Sequence, residues 1–189
     1  VYGFRLSPGD RFIRDAMALA PSLDTAGWFT ATAGDMRTAC DALVGSSSRH
    51  KTGANGLTAA GSPKGAYLPA ASFGVPFDPD TAAAFDPTAA AIAKPVDAAT
   101  ANALFASWQG AIEAYTVTAL HEANRIHRDW LAPYQAHYEP SIWQRFSDGA
   151  RYSPEQLASA AAKFAQVRTA FRQFFANHDF LVLPATPFP

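Results

Sequence analysis

Residues 153–183 open with Ser153-Pro154-Glu155-Gln156 and close with Asp179-Phe180-Leu181-Val182-Leu183. The opening is a helix start: Ser153 suits the N-cap, Pro154 the first helical position, and Gln156 the reciprocal capping partner. Behind it Leu157, Ala161, Phe164, Val167, Phe171 and Phe174 recur at steps of three and four, which marks one apolar helix stripe. The helix is expected to end near Asn177-His178, and Phe180–Leu183 reads as a short buried strand. A long helix feeding an apolar strand places the chain in the α/β class, with a sheet to which this stretch adds only a few strands.

The same reading extends toward the N-terminus. Leu104, Trp108, Ile112, Tyr115, Ala119, Ala123, Ile126 and Trp130 form a stripe that predicts one helix over about 98–131, with Glu113, Arg125 and Asp129 away from it. An alanine-rich helix is expected over 79–93. Another, over about 34–44, carries Met36, Ala39, Cys40 and Leu43 on one side and ends at Gly45 in a left-handed cap. Residues 1–31, broken by Pro8-Gly9 and Pro21, read as strand and turn, with Asp24-Thr25 leading toward a helix. Residues 45–78 hold Ser46-Ser47-Ser48, Gly53, Gly56, Gly61 and Gly65. They are expected to form a long loop with at most a short strand near 70–75.

Composition narrows the function classes. The chain has 189 residues, 49% hydrophobic and 16% charged, with net charge −1. Charged residues usually make up about 25% of a globular domain, so two readings compete: an alanine-rich domain, or a piece of a larger fold whose apolar surface is covered by further chain. Lys and Arg are scattered and not in excess, which argues against nucleic acid as a partner. No run of about 20 apolar residues suggests a membrane span. A single cysteine, Cys40, excludes an internal disulfide and points to the cytoplasm. The start at Val1 without a leader and the stop at Pro189 directly after a buried strand suggest an excised segment.

No complete catalytic set can be assembled from these residues. His121 and His127 are six apart, not four, so they do not share a helix face as a zinc pair would. His50, His137 and His178 lack ligand spacing, and no metal or cofactor is expected. Gly-x-Ser-x-Gly is absent, and Gly61-Ser62-Pro63-Lys64-Gly65 lacks the ending of a phosphate loop. Cys40 reads as a packed thiol. Asp78, Asp80 and Asp86 are flanked by prolines, as turn residues often are.

Four blocks, in order, carry a resemblance. Ala20-Pro-Ser-Leu-Asp-Thr-Ala-Gly-Trp-Phe29 closely resembles the Pro-Leu-Ala-Pro-Ser-Leu-Asp-Thr-Val-Gly segment of the amidase signature family, which includes bacterial amidases, allophanate hydrolase and the A subunit of glutamyl-tRNA amidotransferase. Tyr2-Gly-Phe-Arg-Leu-Ser-Pro-Gly9 is similar to the turn after that family's nucleophile. Ile112-Glu113-Ala114-Tyr115, or alternatively His121-Glu122-Ala123 with His127 and Trp130, resembles its Glu-Ala helix. Arg145-Phe-Ser-Asp-Gly149, Ser153, Arg168 and Asp179-Phe-Leu-Val-Leu-Pro-Ala-Thr-Pro187 resemble its Arg-x-x-x-Gly, helix and Asp-x-Leu-x-x-Pro-Thr-x-Pro ending. Leu6, Asp10 and Ala31 depart from the pattern, which has Pro, Arg and Arg there.

The resemblance implies a helix-rich fragment of the family's α/β/α fold with a mixed sheet: residues 1–189 as one partial domain, truncated at both ends. It implies chemistry at a carbon–nitrogen amide bond, by a serine nucleophile, a second serine in a cis peptide and a lysine. All three lie upstream of the block matched by Tyr2, so Lys51, Lys64, Lys94 and Lys163 do not supply that lysine. The chain alone is therefore expected to be inactive, its parent an amide hydrolase or amidotransferase. The implied partners are the catalytic segment and a small amide substrate; unburied helix stripes add self-association. By the same resemblance, Arg145 and Thr186 lie near substrate, while Asp24, Gly27, Asp179 and Pro184 are structural. The competing expectation is a non-catalytic helical binding or structural module.

Overall fold

The computed structural model describes residues 1–45 and 63–188. Among these residues helices dominate, and five short strands fall into two sheets. Within the stretch expected to be one partial domain, two compact units form: Val1–Gly61 with Thr118–Tyr152, and Ser62–Val117 with Ser153–Pro189.

In the first unit, β1 (Tyr2–Arg5) pairs antiparallel with β2 (Gly27–Thr30). Phe4 and Trp28 stand opposite one another with ring centroids 4.9 Å apart. The Asp24-Thr25 pair leads into β2, not directly into a helix, and helix α1 (Ala33–Leu43) is capped by Thr32, whose hydroxyl accepts from Asp35 N–H at 3.1 Å. Gly45 closes the helix with φ +77°, the left-handed conformation that glycine reaches without steric cost. The later part of the unit comprises α4 (Ala111–Leu131) from Thr118 onward and α5 (Pro140–Asp148). Ala20, Ala123 and Leu131 are its buried apolar residues, joined by Gly149. The Asn124 amide donates to Phe146 O at 2.9 Å and the Trp143 indole to Leu131 O at 2.8 Å, tying α5 to α4.

The second unit is built on a parallel sheet of order β4-β3-β5: β4 (Lys94–Pro95), β3 (Gly65–Tyr67) and β5 (Phe180–Val182). Helices α2 (Pro79–Ala90), α3 (Ala98–Trp108) and α6 (Pro154–Phe175) belong to it. The core joins Ala66 and Leu68, at the end of β3, to Ala101 and Leu104 of α3 and Phe174 of α6. Leu68 is fully buried. Phe73, Phe105, Trp108 and Phe171 extend it as a chain of ring contacts. Ser153 caps α6 in a complete capping box with Gln156.

Three expectations change. The helix over 98–131 is two helices, because Gly110 adopts φ +75° and ends α3. Its single stripe fails with it: Leu104 is buried, but Ile112 is 81% and Tyr115 53% exposed, and Ala114 takes the buried place. The strand expected near 70–75 is instead a single 3-10 turn at Ala70–Phe73, and the strand lies earlier, at Gly65–Tyr67. The remainder of the expected loop, 46–62, lies outside the described residues. Among the described residues, parallel and antiparallel pairing occupy two separate sheets rather than one mixed sheet. No helix among them is long and apolar enough to cross a membrane.

Candidate functional site

Asp24 sits in the turn before β2, where its carboxylate accepts Leu19 N–H at 2.8 Å and Ala20 N–H at 3.0 Å. Two backbone donors that the turn would otherwise leave to water are thereby held by a carboxylate that reaches back four and five residues along the chain. Gly27 is paired with Arg5, and a Cβ there would lie 2.3 Å from Phe4 O, so the strand pairing admits only glycine. Thr25 adds a tie, its hydroxyl accepting from Arg5 Nε at 2.6 Å.

Arg145 is exposed in the last turn of α5. A cation there interacts favourably with the helix C-terminus. Four residues on, Gly149 is buried, and a Cβ would lie 2.0 Å from Leu120 O. The Arg-x-x-x-Gly spacing thus ends a helix at a position where only glycine lets the chain approach α4.

The other sequence-selected residues belong to the second unit. Asp179 accepts Lys64 N–H on its carboxylate at 2.7 Å, while its own N–H donates to Lys64 O at 2.9 Å. This reciprocal pair sets the register of β5 against β3. Pro184 and Thr186 follow β5 and line an open cleft of about 440 Å³ whose other wall is α2. Phe85 and Ala89 of α2 and Ile92 just beyond its end line it, together with Phe188. The Thr186 hydroxyl accepts Phe188 N–H at 3.2 Å, and Thr88 donates to Ala84 O at 2.7 Å. The cleft is lined by apolar groups and threonine hydroxyls, so it can enclose an apolar moiety; no lining residue is an acid, base or thiol. Sequence reading found Pro184 and Thr186 but missed the α2 wall. Its signal was the spacing of Phe85, Ala89 and Ile92, at i, i+4 and i+7, within a helix read only as alanine-rich.

Arg145 belongs to the first unit and Thr186 to the second. The histidines on α4 differ in surroundings. His127 Nδ1 lies 2.7 Å from the Tyr138 hydroxyl among the rings of Trp130, Tyr138 and Phe146, and burial lowers its pKa from the ordinary 6.5. His121 Nδ1 is buried without a hydrogen-bond partner. Asp78 caps α2, and Asp86 accepts Ala70 N–H at 3.0 Å. Lys163 donates to Gln166 at 2.6 Å. Among the described residues no group of three or more His, Cys, Asp or Glu side chains is placed to hold a metal ion. Ser46–Ser48, His50 and Lys51 lie outside them.

No protein-family model matches the chain, and no curated protein matches it.

Proposed function

We propose that this chain is part of a cytoplasmic enzyme of the amidase signature type, acting on the carbon–nitrogen bond of a small amide, with the helix-rich α/β/α fold that such a family implies. The four blocks in their common order carry the reading, above all Ala20–Phe29 and Asp179–Pro187. It is supported by what the matched residues do. Asp24 and Asp179 bind backbone N–H groups, and Gly27 and Gly149 stand where a Cβ would meet backbone. These positions tolerate few substitutions, so a match there carries more weight than one at freely varying surface sites.

The residues present bind and shape; they do not attack. In this reading Arg145 and Thr186 contribute to holding substrate, while the serine and lysine groups come from a segment preceding the block matched by Tyr2. The chain also associates with that segment or with itself, since Met17, Phe29 and Ile112 leave most of their apolar surface exposed.

Two measurements test this. The purified 189-residue chain should give no turnover of a simple aryl amide, whereas the coding sequence extended upstream should encode Gly-Gly-Ser-Ser-Gly-Gly-Ser and give turnover. An upstream sequence without that signature would overturn the family assignment. Turnover by the chain alone, abolished by one serine substitution within residues 1–189, would overturn the claim that the catalytic set is absent.

A further inference from the structure

The cleft beside Thr186 owes one wall to residues that the amide-bond reading leaves without a role. Thr81, Ala84, Phe85, Thr88, Ala89 and Ile92 recur at steps of three and four, so one continuous stripe of α2 and its end lines the cleft. Ala89 is buried and Phe85, Val182 and Pro184 are half-buried, whereas Ile92 and Phe188 are more than half exposed. The Phe85 ring is braced edge-on by Tyr67, with centroids 6.4 Å apart. An apolar cavity of about 150 Å³ is enough for benzene, so a cleft of about 440 Å³ admits a ring and the group that carries it.

Charge around the cleft selects against ions. No Lys, Arg or His occurs from Gly65 to Ala93 or from Phe180 to Phe188, and the same stretches hold three acids, Asp78, Asp80 and Asp86. None of the three lines the cleft. Lys64, Lys94 and Asp179, which border these stretches, add one net positive charge, and the balance stays negative. The two ends of α2 carry opposite partial charges of roughly half a unit and cancel. An anionic group is therefore repelled, and a cation would lose water against apolar walls with no lining carboxylate to compensate. Three hydroxyls complete the lining. Thr81 donates to Asp78 at 3.4 Å and Thr88 to Ala84 O at 2.7 Å. Thr186 accepts Phe188 N–H at 3.2 Å, but its own proton goes to no protein acceptor among the described residues.

We propose that this cleft is the subsite for an uncharged, phenyl-sized apolar substituent of the amide substrate, with the Thr186 hydroxyl donating to a neutral acceptor such as the amide oxygen. The inference rests on the amide-bond reading and narrows it, since amides that carry a second, ionised carboxylate are disfavoured. Ala185 makes room by being small, and it is exposed, so a larger residue there fills the cleft without entering the core.

The test is a titration of the 189-residue chain with phenylacetamide, acetamide and succinamate at pH 7 and constant ionic strength, following the amide resonances of Phe85, Thr88, Ala185 and Thr186. Phenylacetamide should give saturable shifts and bind at least roughly tenfold tighter than acetamide, as burial of a phenyl group implies. Succinamate should give none. Ala185→Phe should abolish phenylacetamide binding, whereas Ala162→Phe, exposed on α6 and outside the cleft, should bind as the parent does. Thr186→Val should weaken phenylacetamide roughly twofold to tenfold, the range of one neutral hydrogen bond. It should leave fluorobenzene, which has no carbonyl, unchanged, and Thr186→Ser should bind as the parent does. Succinamate binding as tight as that of phenylacetamide, or full binding by a folded Ala185→Phe chain, would overturn the subsite. Equal effects of Thr186→Val on both probes would overturn the donor. The amide-bond reading fails on a different result, an upstream coding sequence without the glycine-serine signature, so the two failures are distinguishable.

Discussion

Lys64 and Asp179 hold one another by two reciprocal hydrogen bonds across 115 residues of sequence: Lys64 N–H donates to the Asp179 carboxylate at 2.7 Å, and Asp179 N–H donates to Lys64 O at 2.9 Å. Both ends of this clamp lie where β3 and β5 begin, so it fixes which residue of one strand faces which of the other. Asp179→Ala removes the charged acceptor and should destabilise the second unit by about 1–2 kcal/mol, the lower part of the range for a hydrogen bond to a charged group because the site is exposed. Asp179→Asn keeps an acceptor oxygen and should lose less. Urea denaturation followed by tryptophan fluorescence checks the order; equal loss in both variants would show that the carboxylate does not set the register.

Gly149 offers a sharper test of the first unit. Its backbone passes so close to α4 that a Cβ would lie 2.0 Å from Leu120 O and 3.0 Å from Asn124 Cβ. The obstacle is helix backbone, which cannot swing aside as a side-chain tip can. Gly149→Ala should cost about 1–3 kcal/mol or more, as overpacking of a close contact does. A thermal melt within a degree of the parent would mean that the segment shifts freely.

The parts of the fold legible in the sequence are those dictated locally. Ser153, Pro154 and Gln156 mark the start of α6 because each acts within one helical turn. Gly45 ends α1 for the same reason. The break at Gly110 escaped, since apolar spacing continues through it. One left-handed residue then redirects the following helix, so that Ile112 and Tyr115 turn outward. Strand β3 escaped as well. Gly65-Ala66-Tyr67 has no period of its own and is stabilised by β4 and β5, which lie far along the chain. The cleft beside Thr186 was half legible. Its β5 side stood in a recognisable block, whereas its α2 side became a wall only once tertiary packing placed it there.

The cap of α6 gives a prediction that rests on one side chain. The Ser153 hydroxyl accepts Gln156 N–H at 3.3 Å, and the Gln156 amide oxygen accepts Ser153 N–H at 2.8 Å. Ser153→Ala ends the first bond and should cost about 0.5–2 kcal/mol. Ser153→Asp retains an acceptor and adds favourable charge at the helix N-terminus. It should therefore match or exceed the parent in a denaturation midpoint, and an aspartate variant as weak as the alanine one would refute capping as the role.

His127 makes stability of the first unit depend on pH. Its ring packs against Trp130, Tyr138 and Phe146, and desolvation there penalises the imidazolium, lowering the pKa below the ordinary 6.5. The unfolded chain then binds the proton more readily than the folded one. Above pH 6.5 both states are neutral at this position and the contribution is fully present. As pH falls below 6.5 toward the folded pKa, the unfolded state gains protons first and stability drops. Protonation also makes Nδ1 a donor, so the 2.7 Å contact survives only with the Tyr138 oxygen accepting. Arg128 and Asp129 follow on the same helix but pair with each other in solvent and do not reverse the sign. Denaturation midpoints between pH 7 and 5 should fall for the parent, and fall less for His127→Gln, which cannot titrate. Parallel pH profiles for the two chains would assign the dependence to other groups.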